Sequence, residues 1–200
     1  MLIRLLIVIA CFFIIFASFR RAANDRDWIF LLTGMFFTVL AETLWLFNTT
    51  LAVAMYCAVP AAYALRVAKK SYALVLIATI ICALPLGFWV RGNALSAFAI
   101  LYICLYISTI VASVRNLWIN VNSVPFSNRM LTLIGVLLFL VCDICMVVSY
   151  TVHGSLSYIS CYATWVLFPS AQLSLAFSAL NTSGTGKDTI GHLLKPSFRA

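Results

Sequence analysis

Leu131 to Val152 is a run of twenty-two residues, almost all apolar, with a single acid, Asp143, near its middle. A helix of about 20 apolar residues spans the hydrocarbon core of a bilayer. The composition of the whole chain decides whether this run is a membrane helix or a buried core helix. Hydrophobic residues make up 64% and charged residues only 9%, where a soluble domain carries about 25% charged residues. Too few polar side chains remain to coat a water-facing surface, which excludes a soluble fold. The expected fold class is all-α: a polytopic membrane helix bundle.

Polar punctuation divides the chain into seven expected transmembrane helices, at about 2–19, 28–48, 50–68, 71–90, 94–114, 131–152 and 158–180. Residues 1–180 then form one transmembrane domain, and 181–200 a polar tail. The first run follows Arg4 and ends in Arg20-Arg21 without a clear small-residue cleavage site, so it reads as a retained helix. Eleven basic residues fall on one side of this layout and two, Arg4 and Arg91, on the other. The positive-inside rule puts the N-terminus outside and the tail in the cytoplasm. The expected location is therefore integral and multi-pass, the inner or plasma membrane if the source is bacterial. The net charge of +8 is explained by topology, so the bilayer is the expected partner and nucleic acid is not. Ala54, Ala58 and Ala62, and Ser170, Ser174 and Ser178, recur at the spacing that lets membrane helices approach closely. Pro60, Pro85 and Pro169 fall inside expected helices. The seven cysteines read as small buried apolar groups.

An ionisable side chain inside a membrane is expensive and marks a functional site by default. Besides Asp143, Glu42 stands in such a run. Counted from the expected starts of their helices, both acids lie roughly 18–21 Å from the same boundary. They therefore share a level, as a shared site requires. Polar side chains at nearby depth are the expected substrate-binding residues: Thr38 and Trp45 beside Glu42, Tyr102 and Tyr106 on the Tyr102–Ser113 face of the fifth helix, and Tyr162, Trp165 and Gln172 on the seventh. The plainer reading makes the acids structural, bonded to neighbouring hydroxyls, and the tyrosines bundle filler. Cys142-Asp143-Ile144-Cys145 is half of a zinc site without its other half, so no metal or other cofactor is expected. No phosphate-binding glycine loop or serine nucleophile elbow is present. Asn48-Thr49-Thr50 matches a glycosylation sequon, but it abuts the membrane.

Three stretches, in order, carry a resemblance. Phe36-Phe37-Thr38-Val39-Leu40-Ala41-Glu42 resembles the FSxxGD stretch of the YhhN family, the lysoplasmalogenases. Leu137-Leu138-Phe139-Leu140-Val141-Cys142-Asp143 is similar to its LFxxSD stretch, and Ser170-Ala171-Gln172-Leu173-Ser174-Leu175-Ala176-Phe177-Ser178-Ala179 to its AQLLIALSA ending. The chain departs from the family pattern in having Glu at 42, Ala41 and Cys142 before the two acids, and Met55, Tyr56 and Ala61 where the family has a histidine.

The resemblance implies an integral membrane hydrolase that cleaves the vinyl ether bond of lysoplasmalogen, a lysophospholipid, and releases a fatty aldehyde. That reaction protonates an alkene carbon, forms an oxocarbenium-like cation and adds water. It needs one protonated and one ionised carboxyl group, the division of labour of glycosidases, and Glu42 and Asp143 would be that pair. Two other functions stay open: a non-catalytic lipid-binding or scaffold protein, and a proton-coupled small-molecule carrier.

Overall fold

A computed structural model describes residues 2–17, 25–68, 72–119 and 124–180. They form seven helices: α1 (Leu2–Ala17), α2 (Asp25–Leu44), α3 (Thr49–Val67), α4 (Tyr72–Arg91), α5 (Ala94–Ile119), α6 (Phe126–Thr151) and α7 (Ser155–Phe177). The helical membrane bundle expected from composition is thus the observed fold. Five helices, α2 to α6, are long and apolar enough to cross a membrane. Exposed large apolar side chains cover the bundle, Trp89, Trp118, Ile81 and Val147 among them, as suits a surface that faces lipid. The protein is a multi-pass integral membrane protein.

Several boundaries move from their expected places. Helix α6 begins at Phe126 rather than Leu131, because Arg129 is accommodated inside it: its guanidinium donates to the carbonyls of Asn116 and Leu117 at the end of α5. Helix α5 correspondingly extends to Ile119. Helix α2 starts three residues early, with Asp25 and Asp27 in its first turn, where acids complement the helix dipole. It ends at Leu44 in a tight turn closed by Leu46 N–H to Thr43 O. Asn48 then caps α3, its side chain accepting from Leu51 N–H at 3.1 Å. Gly92 and Gly154 take φ of 65° and 95° in the α4–α5 and α6–α7 turns, a backbone state that glycine enters without strain. The expected tail at 181–200, and the bases Arg20, Arg21, Lys69 and Lys70, lie outside the described residues.

Six helices close a ring in the order α1, α2, α3, α5, α6, α7, back to α1, while α4 packs on the outside against α5. The centre holds Leu31, Met35, Val59, Tyr63, Tyr106, Phe139, Phe168 and Leu175. The polar stripe of α5 faces this centre and stitches the ring. Tyr106 donates to Val136 O at 3.0 Å and Thr109 to Pro60 O at 2.8 Å. On α7, the hydroxyls of Ser170 and Ser174 turn back to their own helix, to the carbonyls of Val166 and Ser170.

The basic residues at one end are working parts of the fold as well as topological markers. Arg66, expected in the last turn of the third helix, is fully buried and holds Asp27 bidentately, at 2.7 and 2.8 Å, and Ser178 at 2.8 Å. Arg26 donates to the carbonyls of Leu65 and Ala68. These contacts bind α2, α3 and α7 at one end and leave the other end to the acids.

Candidate functional site

Glu42 and Asp143 each stand seventeen residues along their helices, α2 and α6, from the Asp27 end of the bundle. At 1.5 Å per residue that is about 25 Å, towards the opposite end. Glu42 is buried, and its Oε1 accepts twice: from Arg4 Nη2 at 2.9 Å and from the Tyr56 hydroxyl at 2.5 Å. Asp143 is half-buried, and its Oδ2 accepts from the Tyr102 hydroxyl at 2.6 Å. The rings of Tyr56 and Tyr102 meet edge to face with centroids 6.2 Å apart. The two acids are therefore joined by two phenols, and Arg4 is paired with Glu42.

The aromatic contacts continue as an arc. Tyr102 packs on Tyr106 at 5.4 Å, Tyr106 on Phe139 at 6.1 Å, and Phe139 on Phe168 at 5.7 Å. The Arg4 guanidinium closes the arc, 4.2 Å above the Phe168 ring. Every helix of the ring contributes a side chain to this circuit, and α4 contributes none. The arc is a rigid apolar base under a charged pair, the arrangement in which preorganised charges act most strongly.

A cavity of about 160 Å³ opens on this assembly. Arg4, Glu42, Trp45 and Tyr56 form one side, and Met146, Ser149, Cys161, Thr164 and Trp165 the other. Met146, one helical turn beyond Asp143 on α6, lines the cavity, and Asp143 itself does not. The lining is mixed: one cation, one carboxylate, hydroxyls, two indoles and a thioether. Such a surface suits an amphipathic molecule with a polar group held among aromatic rings.

The other sequence-derived candidates are placed as follows. Trp45 and Trp165 line the cavity. Tyr102 holds Asp143, and Tyr106 is bonded to Val136 O. Thr38 is fully buried one turn below Glu42 and donates to Gly34 O at 2.9 Å. Gln172 is fully buried, two turns below the cavity lining on α7. Tyr162 is 73% exposed on the outer surface of α7, apart from the others.

No family model matches this chain, and neither the curated proteins nor the solved structures give a match.

Arg4, Tyr56, Met146, Ser149, Cys161 and Thr164 are the site residues that sequence reasoning passed over. Arg4 reads in the sequence as a stray charge at the start of an apolar run. The signal for it was depth. The first turn of α1 meets the last turns of the next, antiparallel helix, where Glu42 stands. Tyr56 is visible as the polar side chain of α3 at the level of Glu42, but only as a tyrosine among many.

Proposed function

We propose that this protein is a membrane hydrolase that cleaves the vinyl ether bond of a lysophospholipid, with Glu42 and Asp143 as its two carboxyl groups. The observation that carries this reading is the connected line Glu42–Tyr56–Tyr102–Asp143 beside a cavity lined by Arg4 and two tryptophans. The ordered resemblance of helices α2, α6 and α7 to the YhhN family points the same way.

Arg4 divides the labour between the acids. Its guanidinium is the counter-charge of an ionised Glu42, and both hydrogen bonds to Glu42 fall on Oε1, so Oε2 is the oxygen that meets a water. Asp143, held at one oxygen by the Tyr102 hydroxyl, acts as the acid through the other. In this scheme Asp143 protonates the alkene carbon of the vinyl ether. Water adds to the resulting oxocarbenium carbon as Glu42 takes its proton. The hemiacetal collapses to aldehyde and alcohol, and the proton held by the carboxylates restores the acid. One water is consumed and no group is lost or gained. The protein lies with its N-terminus outside and its C-terminus inside, which the basic residues at the Asp27 end support. The site then opens towards the outer leaflet, which a single-chain lipid leaves more readily than a two-chain lipid does, at about 0.8 kcal/mol per CH₂.

The test is aldehyde release from lysoplasmalogen by the detergent-purified protein. Asp143→Asn and Glu42→Gln should each lower it at least about a hundred-fold, the usual contribution of a general acid or base. Undiminished release from both variants would sink the proposal. A second reading, a lipid binder without turnover, is favoured by the Arg4–Glu42 ion pair, since a paired carboxylate also suits a structural role. Tight lysolipid binding with no aldehyde from the wild-type chain would select it.

A further inference from the structure

Between the two ion pairs lies a layer of buried polar side chains with open hydrogen-bonding positions. Gln172 on α7 is fully buried, and neither its Oε1 nor its Nε2 makes a hydrogen bond among the described residues. The Tyr63 hydroxyl on α3 is also buried, and among the described residues it makes no hydrogen bond of good geometry. Thr38, whose own hydroxyl donates to Gly34 O, is its polar neighbour and leaves at least one of its hydrogen-bonding positions open. Tyr63 is four residues from the end of α3, and Gln172 five from the end of α7. Both therefore sit about 6–8 Å in from the Asp27 end. Tyr63 packs in the same core as Ala171, Leu175 and Ala176, the neighbours of Gln172 on α7. Gln172 is one turn from Phe168, which carries Arg4, and Tyr63 is one turn from Arg66.

A buried amide offers two acceptor positions and two donors, and native interiors leave such groups unpaired only rarely. Their usual partner is ordered water, which makes about three bonds to groups of this kind. An ion is a poor alternative, because Arg66, one turn from Tyr63, is already committed to Asp27 and Ser178. The ring that crowds Gly34 belongs to Tyr63, and any side chain at Gly34 would run into it. The glycine admits Tyr63 to the centre of the bundle.

We propose that Tyr63 and Gln172 hold ordered water inside the bundle, near its Asp27–Arg66 end. This site stands on geometry and is independent of the proposed function.

Pulsed X-ray hydroxyl-radical labelling of the full chain in detergent tests this site, because radiolysis of bound water oxidises the side chains beside it. Tyr63 should be oxidised despite its burial, and Gln172→Leu should lower that labelling several-fold while the exposed Tyr162 keeps its own. Wild-type Tyr63 labelled no more than the equally buried Phe139 would overturn the water site, whatever the variant does.

Discussion

Each end of the bundle carries an arginine–carboxylate pair, and the two pairs are built to opposite ends. Arg66 grips both oxygens of Asp27 and adds Ser178 with its remaining amino group. Three helices meet there, and both partners are buried. A bidentate, fully bonded pair of this kind specifies geometry. Arg4 touches one oxygen of Glu42 through one nitrogen, shares that oxygen with Tyr56, and rests its face on Phe168. This second pair lines a cavity. The same chemistry is thus a clasp at one end and an open, aromatic-backed charge pair at the other. Whether an intramembrane charge is structural or chemical is decided by what its remaining hydrogen-bonding positions face.

Breaking the clasp should have the largest effect on stability. Arg66→Ala leaves Asp27 buried without its partner and should cost about 3–5 kcal/mol, read as a lower midpoint of thermal unfolding in detergent. A wild-type midpoint would refute the clasp. Arg4→Gln removes a charged hydrogen bond from Glu42 and should cost less, about 1.5–3 kcal/mol, while aldehyde release falls far more than the midpoint does. Equal losses of stability in the two arginine variants would erase the contrast between the ends. Gly34→Ala should cost about 1–3 kcal/mol through overpacking against Tyr63, without changing lysolipid binding once folded. Tyr162→Phe, on the lipid-exposed face, should stay within about 0.5 kcal/mol of wild type and leave turnover unchanged. A large loss there would extend the site to the outer surface of α7.

Much of the fold was legible because hydropathy is a statement about solvent. Apolar runs separated by polar turns gave all seven helices, and the depth of Glu42 and Asp143 survived the shift of both helix starts, since both moved towards the same end. The boundaries at 25 and 126 were not legible, because Arg26 and Arg129 look like loop residues until the carbonyls that they bind are known. The site was half legible. Trp45, Trp165 and the two acids follow from depth along a helix, but facing direction does not, so Tyr162 and Tyr102 looked alike in the sequence. Arg4 and Arg66 were read only as markers of the two sides, because charge patterning carries no information about pairing across helices.

In the proposed hydrolase, Glu42 and Asp143 work as one unit through the two phenols. A double-mutant cycle on kcat/KM for aldehyde release tests it most directly, with Glu42→Gln, Asp143→Asn and the double variant purified side by side. Residues that act together are strongly non-additive. The double variant should lose little more than the worse of the two single variants. Losses that add fully, or single variants that retain wild-type turnover, would contradict the account.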